Sequence, residues 1–392
     1  MLAVGLAAAL FLGAWALLHV GFWRHDQVID TPVYARYGEQ MAHGKVPYRD
    51  FTPEYPPLAL PVFVLPALVS SSEDGFRQAF EPLMAACGVA LLLFVALAAR
   101  ALGDGPERLW LTLASVALFP LALGTVVLTR FDLWPAALTA AALAALLSRR
   151  DRLGLGVLAL ATAAKLYPGV LLPLAVAWTW RRRGRREALV GLGIYLAVLA
   201  VCFVPFLALG PDGVVHSFSR QLGRPLQIES LGAGFLLAAH QAFGLGVTMK
   251  SSAGSQNLVG TLPDALAVVQ SVVQAAAILW LWWRFPRGPM EPARLARYAA
   301  AAVVAFVVLG KVLSPQFLIW LVPLVALVRG PRSLRTAALL AAALAVTQVW
   351  FPFRYWDLVR TFDPLASWLV PLRDLLLVGL LVVLAVPRRL RV

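Results

Sequence analysis

Apolar runs of about 20 residues follow one another along most of this chain, parted by short polar stretches, and each is long enough to cross roughly 30 Å of hydrocarbon. The pattern predicts full spans at about 2–23, 80–100, 108–128, 132–148, 188–208, 264–284, 336–353 and 365–387. Ten-residue segments of alternating polarity are absent, which argues against a transmembrane barrel. The predicted fold class is an all-α polytopic membrane protein, organised as a single membrane domain over residues 1–392. Arginines gather in blocks between the runs, at 149–152, 181–186, 284–297, 329–335 and 388–391, and the positive-inside rule puts all five on the cytoplasmic side.

Two intervals break this scheme. Residues 153–180 and 298–329 begin and end at cytoplasmic arginine blocks, so each must enter the membrane and return within about 30 residues. At 1.5 Å per residue each arm reaches only about 20 Å, which predicts short helical hairpins. Apolar residues 57–70 and 231–247 pose the opposite case. Crossing there would break the arginine alternation, so they are expected as interfacial or re-entrant helices on the outer face.

Polar chemistry concentrates in the loop at 24–57, placed outside by the same topology. It holds Asp26, Asp30, Glu39, Asp50 and Glu54, a quarter of the 20 carboxylates in under a tenth of the chain. Prolines 47, 53, 56 and 57 stiffen it. Tyr34, Tyr48 and Tyr55 offer ring faces and hydroxyls suited to a sugar, or equally to packing the loop against itself and anchoring it at the interface. A second outer cluster holds Arg220, Arg224, Gln227 and Glu229, assigned to acceptor or donor head-group binding.

The hairpin tips read Lys165-Leu-Tyr-Pro168 and Lys311-Val-Leu-Ser-Pro315. Of 34 basic residues only four are Lys, and two of those lie in these apolar hairpins. A cation there costs about 2.5 to 3.5 kcal/mol on insertion scales, so it faces a cavity or a partner, unless it snorkels to the interface. The functional reading is a pair of cations aimed at a lipid phosphate near the outer leaflet. Arg130 and Asp132, in the turn Thr129-Arg-Phe-Asp132, either pair with each other or line the same pathway, while Arg373 and Asp374 are expected to form a structural pair.

Composition narrows the class further. Sixty per cent of residues are apolar and the mean hydropathy is +0.78. The net charge of +14 is accounted for by the cytoplasmic arginines, so no nucleic-acid partner is expected. Cys87 and Cys202 both sit in apolar runs and imply no disulfide framework. Residues 2–23 lack a cleavage-site pattern and read as a retained span, although no basic residue precedes them, an indication that the chain begins elsewhere. The histidines show no close ligand spacing. His25 and His43 share the acidic loop with Asp30 and Asp50, which leaves open a weak divalent-metal site. A carboxylate base in a sugar site needs no metal, so no cofactor is expected.

Taken in order, GKVPYRDFTPEYPP, TRFDLWPA, ATAAKLYPGVLLP, RQLGRPLQIES and GKVLSPQFLIWLVP resemble glycosyltransferase family 87, the polyprenyl-phosphate-mannose-dependent transferases of the GT-C fold, from about residue 20 to 330. The resemblance implies a GT-C-like bundle of about 10 to 12 membrane helices in the plasma membrane, with the active site facing outward. It implies transfer of a sugar, mannose in this family, from a β-linked polyprenyl phosphate to a lipid or glycan acceptor, giving an α-linked product without a nucleotide sugar. An acidic residue just after the first span acts near the sugar in the family. That role maps onto Asp30 as base, with Asp26 as its near competitor. Lys165, Lys311 and Arg130 are then phosphate ligands, and Tyr34, Tyr48, Asp50, Glu54, Arg220, Arg224, Gln227, Glu229 and Gln316 are sugar or acceptor contacts.

The residues carry this chemistry without the resemblance as well. Such a transfer needs a base for the acceptor hydroxyl, cations for the departing phosphate and access for lipid tails, and all three lie on one side. The runner-up reading is a secondary transporter or flippase of a lipid-linked phosphate or sugar, since paired broken hairpins also build transporter sites. Against it, the cytoplasmic halves of the spans carry almost only Ala, Leu and Val.

Overall fold

The computed structural model describes residues 2–24 and 28–386. It is mostly helical and divides into two compact units, Met1–Arg224 and Pro225–Val392. Asp26, His25 and the arginine block at 388–391 lie outside the described residues.

The first unit opens with α1 (Leu2–Leu17), and the acidic loop then folds into α2 (Thr31–Ala42) and α3 (Pro61–Ala67). The long α4 (Glu73–Ala101) follows. Ser72 caps it by accepting from the Gly75 amide at 3.1 Å, and Glu73 and Asp74 in its first turn complement the helix dipole. Next come α5 (Pro106–Leu123), the single turn α6 (Val126–Thr129) and α7 (Leu133–Leu147). Alanine-rich α7 is buried along almost its whole length and packs against α4 and against α8 (Asp151–Ala164), as small side chains permit close helix approach in a membrane protein.

After α8 the chain breaks at Lys165, turns through Tyr167–Leu171 and returns as α9 (Leu172–Arg183). Arg183 at the end of α9 meets Asp151 at the start of α8 at 2.5 Å, so the interval is a reversing hairpin, as its length predicts. Its arms of 14 and 12 residues are about 21 and 18 Å long. The unit closes with α10 (Arg185–Leu209) and the amphipathic α11 (Pro211–Leu222).

In the second unit β1 (Leu226–Gln227) leads into α12 (Leu231–Phe243), followed by the hairpin of β2 (Thr248–Ser252) and β3 (Ser255–Val259). The strands form an antiparallel sheet in the order β1-β3-β2, with Gln227 opposite Asn257. Helix α13 (Thr261–Arg284) precedes the second hairpin, formed by α14 (Pro292–Val308) and α15 (Leu318–Ala326), which break at 309–317 and pack on each other. Helices α16 (Ser333–Trp350), α17 (Tyr355–Thr361) and α18 (Pro364–Ala385) complete the fold.

Six helices among the described residues are long and apolar enough to cross a membrane: α4, α5, α10, α13, α16 and α18. The spans predicted at 2–23 and 132–148 become helices of 16 and 15 residues. At about 22 Å, α7 falls short of the roughly 30 Å hydrocarbon layer. The small sheet is a departure from the sequence expectation. Its strands are two to five residues long in a Ser/Gly/Asn-rich stretch, too short to leave a periodic signal.

Candidate functional site

In the first unit the end of the acidic loop meets the turn between α6 and α7 and the tip of the first hairpin. Asp30 sits at the N-cap of α2, with Pro32 in the first turn, yet its carboxylate makes no capping bond. It is ion-paired instead with Arg130 Nη1, and Arg130 Nη2 donates to the Val28 carbonyl at 3.3 Å. Two residues on, Asp132 Oδ1 meets Lys165 Nζ at 2.6 Å. The same ammonium lies over the Phe131 ring at 4.5 Å and faces Tyr55 at 6.0 Å. The turn TRFD therefore sends Arg130 to the loop and Asp132 to the hairpin, with Phe131 between them as a floor. Exposure separates the two carboxylates: the Asp30 side chain is 32% accessible and that of Asp132 is 0%.

The hairpin tip is braced from below. Thr139 spends its hydroxyl proton on the Pro135 carbonyl at 2.7 Å, so Tyr167 donates to Thr139 at 3.0 Å, and Tyr195 donates to Thr162 at 3.1 Å. These bonds tie α7, α8 and α10 around Lys165. Arg224, bonded to Gln221 at 3.3 Å, is near enough to act electrostatically on Lys165.

The sugar-face tyrosines are mostly spent on packing. Tyr34 is buried, stacks on Phe63 at 4.6 Å and meets Phe131 edge-on at 5.6 Å. Tyr48 is buried too, in the left-handed region at φ 65°, and donates to the Tyr55 carbonyl at 2.5 Å while its ring meets Phe206. Burial pushes its phenol well above the usual tyrosine value. The geometry gives Tyr48 the loop-packing role. Tyr48→Phe should cost about 1 kcal/mol of stability and leave substrate KM unchanged, which thermal unfolding and steady-state kinetics check.

Asp50 likewise orders its own turn. It accepts from Arg49 at 2.9 Å through both oxygens and from the Val46 amide at 2.7 Å. The Arg49 bond and the Val46 amide hold its carboxyl down at about 2. A depressed acid stabilises the fold above its unfolded value of about 3.9 and loses that effect as pH falls through the folded value. Protection of the Val46 amide in hydrogen exchange, expressed as a protection factor, should therefore stay constant from about pH 5 to 9. It should collapse over that range in Asp50→Ala. Glu54 faces Arg220 at 3.4 Å, while Ser217 and Gln221 donate to the Pro53 and Glu54 carbonyls, so α11 docks on the proline-rich loop by polar contacts.

The second unit gathers the remaining predicted residues. Gln227 Nε2 donates to Glu229 Oε2 at 2.6 Å, and the Gln227 amide donates to the Lys311 carbonyl at 3.0 Å. At the same hairpin tip Ser314 donates to Gln316 at 2.6 Å. Arg373 meets Asp374 at 2.6 Å, fully buried as the pair expected from sequence, and also donates to the Glu229 carbonyl. Among the described residues no cluster of three or more His, Cys, Asp or Glu is placed to hold a metal ion. Asp132 and Tyr55, which the sequence offers without a settled role, both stand beside Lys165 here. The signal available was a carboxylate placed where two apolar runs meet.

The model of glycosyltransferase family 87 matches residues 51–315, from the proline-rich loop to the second hairpin tip. The chain belongs to that family. The match includes Lys165 and Lys311 and begins after Asp30. None of the curated proteins matches the chain. Among solved structures, ArnT from Cupriavidus metallidurans bound to undecaprenyl phosphate is similar at a TM-score of 0.51 and 17% identity, covering 97% of this chain and 76% of that one. Its apo state gives a TM-score of 0.49 and 16% identity over the same shares. The first likeness shows the fold, that of a GT-C membrane glycosyltransferase.

Proposed function

We propose that this family 87 glycosyltransferase is an inverting enzyme. It moves a sugar, mannose by family resemblance, from a polyprenyl phosphate to a lipid or glycan acceptor on the extracytoplasmic face of the plasma membrane. The observation that carries the reading is the paired arrangement Asp30–Arg130 and Asp132–Lys165, in which one carboxylate is accessible and the other is locked against a lysine. A similar fold in a protein bound to undecaprenyl phosphate supports the donor class.

In the reaction the acceptor oxygen bonds to the anomeric carbon, and the bond from that carbon to the phosphate oxygen breaks with its electron pair on the phosphate. The acceptor proton passes to Asp30, the accessible carboxylate of the two. The donor phosphodiester carries one negative charge and the released monoester carries more, so charge develops at the phosphate as the bond breaks. Lys165 and Arg130 are assigned to that charge, and Lys311 keeps the phosphate-ligand assignment drawn from the sequence. A retaining route needs a second carboxylate as nucleophile about 5 Å from the first. Asp132, fully buried on Lys165, is not offered to a sugar, which favours inversion.

The reading is tested with oriented membrane vesicles and a β-linked polyprenyl phosphate mannose donor. Product should form only when the extracytoplasmic face meets the acceptor, and its new linkage should be α. Product made at the cytoplasmic face, or a β linkage, contradicts it.

A further inference from the structure

Helix α13 carries two glutamines, Gln270 and Gln274, one turn apart in an otherwise apolar span, and so on one helix face. Both reach the break in the second hairpin. Gln274 Nε2 donates to the Phe306 carbonyl at 2.6 Å, and Gln270 Nε2 donates to the Gly310 carbonyl at 2.6 Å. The Gln270 oxygen accepts from the Gly232 amide at 2.9 Å, at the start of α12. One buried amide thus serves a carbonyl freed where α14 ends and an N–H freed where α12 begins, groups that have no water to turn to in a membrane.

The bond to Gly310 has a particular consequence for the residue after it. The Gly310 carbonyl belongs to the peptide that precedes the Lys311 Cα, and the Lys311 carbonyl belongs to the one that follows. Gln270 holds the first and the Gln227 amide holds the second, at 3.0 Å. With both flanking peptide planes pinned, the direction in which the Lys311 side chain leaves the backbone is fixed. The two glycines are shaped to this arrangement. A Cβ on Gly232 would stand 2.6 Å from Gln270 Oε1, and one on Gly310 would stand 2.9 Å from Gln274 Nε2. Space for each amide exists because those positions carry no side chain.

We infer that Gln270 is a positioning residue for phosphate recognition: it aims Lys311 at the donor phosphate by fixing the peptide ahead of it. This rests on the assignment of Lys311 as a phosphate ligand. Ordinary interhelical glue is the competing account, and it predicts that any loss of binding follows the loss of stability, whichever glutamine is changed.

The test measures binding of undecaprenyl phosphate to the purified full-length protein in nanodiscs, with thermal stability recorded in parallel. Lys311→Met should weaken binding about tenfold, the equivalent of about 1.4 kcal/mol. Gln270→Leu should match that loss, Gln274→Leu should change it less than twofold, and the Gln270→Leu/Lys311→Met double variant should bind no worse than Lys311→Met. Gly232→Ala, which crowds the Gln270 oxygen without removing it, keeps the idea testable if Gln270→Leu proves unstable, and should also weaken binding. Full additivity in the double variant, or binding losses in Gln270→Leu and Gln274→Leu that simply follow their losses of thermal stability, overturns the inference. Unchanged binding in Lys311→Met overturns instead the phosphate assignment on which it rests.

Discussion

Asp30→Asn is expected to lower sugar transfer by about 10²–10⁴-fold, the range for loss of a general base, while donor binding changes little. Asparagine keeps an oxygen facing Arg130 and so preserves the bond that holds the loop to the TRFD turn, but it cannot take a proton. The variant therefore separates two roles for one carboxylate. If Asp30 served only to hold Arg130, the asparagine enzyme would keep most of its turnover. A fall in kcat with an unchanged KM for the donor identifies a group needed in the transition state and not in the ground state. Full turnover in Asp30→Asn removes Asp30 as the base.

The second large effect concerns the buried pair behind it. Lys165→Met leaves Asp132 fully buried and without its ammonium partner, which should cost about 3–5 kcal/mol of stability, together with donor binding. The double variant Lys165→Met/Asp132→Asn removes both charges and should recover most of that stability, because replacing a whole buried pair by neutral side chains is often close to neutral. It should not recover donor binding or turnover. This divergence is the diagnostic outcome. A lysine with only a structural role would be rescued in both respects by the double change, and thermal unfolding measured beside donor binding decides between the two.

Much of the fold is legible in the sequence because lipid imposes length rules. The interval 153–180 is too short to cross and return as full helices between two arginine blocks, and it is a hairpin whose ends meet through Asp151 and Arg183. The rarity of lysine likewise singles out Lys165 and Lys311, which lie at the tips of the two hairpins. What the sequence hides is which polar groups are already spoken for. Tyr48 and Asp50 read as sugar contacts in a proline-rich loop, yet the tyrosine hydroxyl is used on the Tyr55 carbonyl and the carboxylate on Arg49 and Val46. Arg130 and Asp132 lie two apart and invite a mutual pair, but each reaches a partner far along the chain, Asp30 and Lys165. Pairing at such separations is decided by packing and leaves no periodic trace. Gln270 shows the converse. Its amide in an apolar span was visible, and its meaning came only with the broken helix beside it.

The central claim is that the sugar comes from a polyprenyl phosphate. The measurement that tests it most directly is transfer of labelled mannose to a membrane lipid extract by purified protein, offered either polyprenyl phosphate mannose or a nucleotide mannose. The account predicts labelled product from the lipid-linked donor alone. Product from the nucleotide sugar in the absence of any polyprenyl phosphate would contradict it.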